Sequence, residues 1–177
     1  TPQIGVVYQG GYIFQINEDG TGFVADLQDL GVERSHDAPS IVGNSTSQGY
    51  DDWWQPSSGQ LELMCNTIGN GGPEGNIGGF SDGNDQDYND GCYWSSEVGA
   101  NSMAVSFISC NSFLYYGNNL CNVRAARTAS GFIFTDQACD SNDNDGNYCG
   151  IDEDGDGCDD CSDGDFNSGN DGADYDE

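Results

Sequence analysis

Asp152, Asp154, Asp156, Asp160 and Asp163 occupy positions 1, 3, 5, 9 and 12 of one twelve-residue segment. Gly157 stands at position 6, where a sharp turn is needed, and Cys158 at position 7 would offer its backbone carbonyl. Calcium takes roughly six to eight hard oxygen ligands, and this spacing folds that many around one ion. Magnesium demands stricter octahedral geometry and retains more water, and zinc prefers thiolates. Offset copies flank the segment. Asp143 and Asp145 precede Gly146 with Asp152 at the twelfth place, and Asp159 and Asp163 precede Gly164. A purely solvating acidic tail would account for the charge here, but not for the spacing.

No helical pattern flanks the loop and its twelfth residue is Asp, which argues against an EF-hand. The cysteine-interleaved pattern over about residues 140–165 instead resembles thrombospondin type 3 repeats. Residues 136–177 hold 16 of the 31 acids and no base. Such a composition cannot bury enough apolar surface to fold unaided. With Ca2+ as cofactor, ligand bonds and disulfides would replace the missing core, so that binding energy becomes folding energy.

The formal net charge is −28, with no lysine and only Arg34, Arg124 and Arg127 as bases. That balance repels nucleic acid and anionic membranes and attracts divalent cations. No apolar run approaches the length of a membrane span. Eight cysteines, an even number without catalytic or zinc-site form, favour disulfides in an oxidising compartment. Pairing of sequence neighbours is the expectation, because Cys110 and Cys121 flank what reads as a hairpin. The start at Thr1-Pro2 reads as a processed N-terminus. His36 is the only histidine and no nucleophile accompanies it, so no enzymatic activity is expected.

The elements that must carry these residues are mostly strands. Ser57 and Gln60 have the spacing of a capping box, and Leu61, Met64 and Ile68 recur at helical period, predicting one main short helix over about 57–66. Strands are expected at 4–8, 11–16, 22–27, 103–109, 113–116, 123–127 and 131–135. Residues 28–50 and 69–91 read as loops, and Asp82, Asp85, Asp87, Asn89 and Asp90 form either a cation site or a solvated turn. Tyr93, Trp94, Phe107, Phe113, Tyr115 and Tyr116 could form a sugar-stacking face, but the core is the better expectation for most. Arg124 and Arg127 are each expected to pair with a carboxylate.

Four blocks resemble the collagen-like adhesin C-terminal domain family. They are Ile4-Gly5 through Phe14 with Gly22 to Ala25; Asp52-Trp53 through Pro56-Ser57 to Leu63-Met64; Tyr93-Trp94-Ser95-Ser96-Glu97; and Asn122-Val123-Arg124-Ala125-Ala126-Arg127. The resemblance implies a secreted or cell-surface domain with a C-type-lectin-like α+β fold, in some members an adhesin that binds sulfated polysaccharide. The expected organisation is a mostly antiparallel β domain over 1–130 and an irregular Asp-rich calcium-binding tail over 131–177. The expected role is a non-enzymatic extracellular structural subunit of a filament or fibril, its partner being other copies of itself, head to tail. The alternative is a carbohydrate-binding adhesin module.

Overall fold

The computed structural model describes residues 2–17, 19–81, 91–97 and 101–132. In chain order the strands are β1 (Val7–Tyr8), β2 (Gly11–Ile16), β3 (Thr21–Asp26), β4 (Val32–Glu33), β5 (Cys92–Trp94), β6 (Asn101–Ser106), β7 (Asn111–Tyr116), β8 (Cys121–Asn122) and β9 (Ala126–Ser130). The helices are α1 (Ala38–Gly43) and α2 (Ser58–Thr67), with a 3₁₀ turn at Ser47–Gly49. One sheet runs in the order β1-β2-β3-β9 and the other β4-β8-β5-β6-β7. The pairs are antiparallel except β5 with β8. Residues Gln3–Ser130 make one compact unit, a sheet-rich α+β domain. No helix among the described residues is long and apolar enough to cross a membrane.

Local chemistry explains the first hairpin. Gln9 and Gly10, between β1 and β2, both have positive φ (44° and 86°), the turn whose twist matches that of two paired strands. Gly11 then lies so close to β3 that an added Cβ would run into the Ala25 carbonyl. A glycine is required at that point.

Helix α2 starts as the spacing of Ser57 and Gln60 predicts. The Gln60 amide donates to Ser57 Oγ (3.3 Å), and the Ser57 amide donates to Gln60 Oε1 (2.9 Å). Glu97 adds its carboxylate at the same end, accepting from the Ser58 amide (3.1 Å) and hydroxyl (3.2 Å). One face of the helix buries Leu61, Met64 and Cys65, and Ile68 follows at its end. These pack with Phe14 and Ala25 of one sheet and with Tyr93, Val105 and Phe107 from the other, so both sheets share this core. Each such large apolar side chain contributes about 1.5–3 kcal/mol on burial. The far face of the five-stranded sheet holds a second core, in which Trp53 and Trp94 meet Ala38 and Val42 of α1.

Several expectations are corrected. Residues 28–50 are not a bare loop but contain β4, α1 and the 3₁₀ turn. Helix α1 offers only Ala38 and Val42 as buried residues, too short a stripe to show periodicity, and its stability comes from tertiary packing. Strand β5 lay hidden because Cys92, Tyr93 and Trp94 are all buried and do not alternate. Of the strand expected at 131–135, Gly131 and Phe132 have no strand structure, and the remaining residues lie outside the described ones.

The four cysteines among the described residues do not pair as neighbours. Cys65 joins Cys110 and Cys92 joins Cys121, with Cα separations of 5.4 and 5.1 Å. Cys110 and Cys121 lie beyond opposite ends of β7, a six-residue strand. At about 3.3 Å per residue such a strand holds its ends far beyond the roughly 4.4–6.8 Å that a disulfide spans. The observed pairs tie α2 to the β6–β7 turn and β5 to its neighbour β8. No cysteine is free among the described residues.

Replacing Ser57 by Ala removes the capping oxygen while leaving the helix face unchanged. We expect a loss of about 1 kcal/mol, read as a lowered midpoint in urea unfolding at unchanged slope.

Candidate functional site

The residues expected to bind calcium (Asp143, Asp145, Asp152, Asp154, Asp156, Cys158, Asp159, Asp160 and Asp163) lie outside the described residues, as do Asp82, Asp85, Asp87, Asn89 and Asp90. Among the described residues no group of three or more His, Cys, Asp or Glu is placed to hold a metal ion. His36 sits on the surface, 3.5 Å from Asp37.

Charge is concentrated at two arginines instead. Arg124 is 1% exposed. It precedes β9 and points into a ring of oxygens supplied by two separate segments, 26–29 and 78–79. Its Nε donates to Asp29 Oδ1 (2.6 Å), Nη1 to the carbonyls of Asp26 (2.7 Å) and Gly78 (3.1 Å), and Nη2 to the Gly79 carbonyl (3.3 Å). The guanidinium lies 4.2 Å from the centre of the Phe80 ring. Four of its donor bonds and one face are therefore occupied, and an external anion finds no donor fork to grasp.

Asp29 continues the network outward. Its Oδ2 accepts from the Tyr93 hydroxyl (2.8 Å), which itself accepts from the Ser81 amide (2.7 Å). The Gly91 amide donates to Ser81 Oγ (3.2 Å). Burial, reinforced by the nearby Asp29 carboxylate, pushes the Tyr93 hydroxyl well above its ordinary range, so it serves as a proton donor and not as a base.

Arg127 forms the second centre, on β9. Nε and Nη2 grip Asp52 in a fork (2.7 and 3.0 Å), and Nη1 donates to the Gln9 carbonyl (2.8 Å). Its guanidinium lies 3.7 Å from the centre of the Tyr50 ring, with Trp53 beyond at 5.9 Å. Hydrogen bonding from Arg127 holds the Asp52 carboxyl below its ordinary range. Asp26 behaves oppositely. It is fully buried, Oδ1 accepts from the Ser47 hydroxyl (2.8 Å), Oδ2 has no partner, and desolvation pushes its carboxyl up.

Both arginines thus pair with carboxylates, as expected from so acidic a chain. Neither partner was legible, since Asp29 and Asp52 lie 95 and 75 residues away. Of the six aromatics considered for sugar stacking, Tyr93, Trp94 and Phe107 are wholly internal and Phe113 and Tyr115 half-buried; only Tyr116 is exposed.

Arg124→Met should cost about 3–5 kcal/mol, because it leaves Asp29 and three carbonyls without their donor; thermal or urea unfolding measures it. The pH dependence has a definite sign. The Asp52 pair contributes stability above the ordinary carboxylate range, about pH 4, and loses it as pH falls through the depressed folded value. Asp26 works against stability at neutral pH, and that cost lifts as pH falls through its raised value. Asp52→Asn should therefore flatten the acid limb of a stability–pH profile, and an unchanged limb would contradict the assignment.

No model of a known protein family matches the chain, and no curated protein is significantly similar to it.

Proposed function

We propose that the protein is a non-enzymatic, extracellular structural subunit whose acidic tail folds around calcium and whose copies assemble with one another. The observation that carries this reading is the spacing of Asp152, Asp154, Asp156, Asp160 and Asp163 about Gly157. Asp143, Asp145 and Asp159 would serve flanking sites. Four cysteines locked in disulfides suit an oxidising compartment. The family resemblance adds a C-type-lectin-like domain displayed at a cell surface.

Self-assembly draws support from the N-terminal edge. Residues Gly5 to Tyr8 run along β2, with Gly5 donating to the Ile13 carbonyl (2.8 Å) and Ile13 to the Val6 carbonyl (3.0 Å). Ile4, Val6 and Val7 remain exposed there, on an outer edge to which a neighbour's strand could add. A head-to-tail contact of that kind repeats into a ring or fibre. With −28 charges per copy, close stacking needs cations between neighbours.

Calorimetric titration of the chelator-stripped, disulfide-intact chain should show calcium binding, together with new protease resistance in residues 140–165. Absence of both would sink the calcium reading. Light scattering and electron microscopy should show calcium-dependent polymer. A monodisperse monomer in millimolar calcium would overturn assembly in favour of a carbohydrate-binding adhesin module.

A further inference from the structure

The two sheets end in four edges, and these differ in how they are closed. On β9, Ala126 exchanges both backbone bonds with Trp54 (2.8 and 2.9 Å), and the Gln9 side chain clamps the amide and carbonyl of Ser130 (3.3 and 2.9 Å). Strands β1 and β4 are two residues long, and β4 runs into Glu33 and Arg34. Strand β7 is different. It has six residues in unbroken register with β6, and none of its own residues is a proline, a bulge or a charge that would blunt it.

The orientation of its backbone groups follows from β6. Met103 donates to the Glu97 carbonyl and accepts from the Ser95 amide (both 3.1 Å), so its backbone faces β5. Leu114, directly opposite Met103, therefore turns its N–H and C=O away from the sheet, as do Ser112 and Tyr116 at alternate positions. Two of these six groups are already engaged. The Ser112 amide donates to Glu62 Oε1 (2.8 Å), and the Tyr116 carbonyl accepts from the Asn119 amide (2.9 Å). Both groups of Leu114, the Ser112 carbonyl and the Tyr116 amide remain.

That remainder is self-complementary. In an antiparallel pair about a two-fold axis at Leu114, Leu114 faces its own copy and Ser112 faces Tyr116. The available groups then form four hydrogen bonds, two between the leucines and one from each Tyr116 amide to the opposite Ser112 carbonyl. The two engaged groups fall opposite each other, where neither leaves the other unsatisfied. Side chains agree with this. On the same face Val105 is buried, while Leu114 is 65% and Tyr116 73% exposed. Charge selects the occupant. Residues 98–123 contain no charged side chain in a chain of net charge −28. A second copy is repelled from most of the surface and less from here, where the carboxylate of Glu62 is already bonded to the Ser112 amide, whereas a basic partner would be drawn to the acids.

We infer that β7 is a symmetric docking edge for a second copy of this chain, joining two five-stranded sheets into one. The inference extends the self-assembly reading with an isologous contact, and it does not depend on the calcium loop. Sedimentation of the disulfide-intact full chain in chelator and molar salt, where the Debye length is about 3 Å, should show a dimer. Leu114→Lys should weaken it at least about tenfold, and Val7→Lys should leave it unchanged. A Leu114→Cys variant should form a covalent dimer under mild oxidation, since directly opposed bonded residues have Cα atoms about 5.5 Å apart; Ile108→Cys, exposed in the adjoining turn, should not. A chain that stays monomeric at high micromolar concentration, or a dimer indifferent to Leu114→Lys, overturns the inference. Calcium-dependent polymer without this dimer defeats the β7 contact alone, and the dimer without polymer supports it while striking the earlier reading.

Discussion

One buried cation holds the centre of the folded domain. Arg124 joins the end of β3, through the Asp26 carbonyl and Asp29, to the glycine-rich segment at Gly78 and Gly79, and through Asp29 to Tyr93 of β5. The Asp26, Gly78 and Gly79 carbonyls that it reaches would otherwise be buried polar groups short of a partner. The planar fork of arginine satisfies several acceptors at once, which a lysine ammonium on its flexible stem would not reproduce. In a protein with only three basic residues, two are assigned to internal cohesion of this kind. The chain thus uses its own guanidinium groups in the folded domain where the proposed tail would use calcium: both gather oxygens that would otherwise repel or go unsatisfied.

How much of this could be read in the residues depends on the range of each interaction. The capping box of α2 and strands β2, β3, β6 and β7 are local, set by spacing within about ten residues, and they appear close to their expected places. The identity of the arginine partners and the disulfide pairing depend on contacts across 29 to 95 residues, and strand β5, buried on both faces, shows no alternation to read. No periodicity encodes those. Helix α1 belongs to the same class, because its two buried residues gain their energy from Trp53 and Trp94 and not from a pattern of their own. The proposed metal ligands are the reverse case. Their spacing is legible because a twelve-residue calcium loop would close on itself, but the residues in question lie outside the described part of the chain.

The distribution of charge separates two kinds of surface. The longest uncharged runs, residues 1–17 and 98–123, supply two strand edges at which apolar side chains stay exposed, β1 and β7, and the acids lie elsewhere along the chain. Like-charged chains approach one another only where the field is weak or screened. An arrangement of this sort would confine any contact between copies to a few backbone edges while the remaining surface keeps them apart, a form of selectivity that needs no specific charged pair.

The clamp of Gln9 on Ser130 has a mechanical consequence. Gln9 lies in the turn after the first strand and Ser130 at the end of the last, yet the Gln9 side chain and the Tyr8 hydroxyl bind the Ser130 backbone directly. Tension applied between the two ends of the unit Gln3–Ser130 would meet this tie, and the Arg127 contact to the Gln9 carbonyl beside it, before reaching the core. The load would then fall across short parallel connections that must break together, and the disulfide-linked sheet behind them would remain out of the force path.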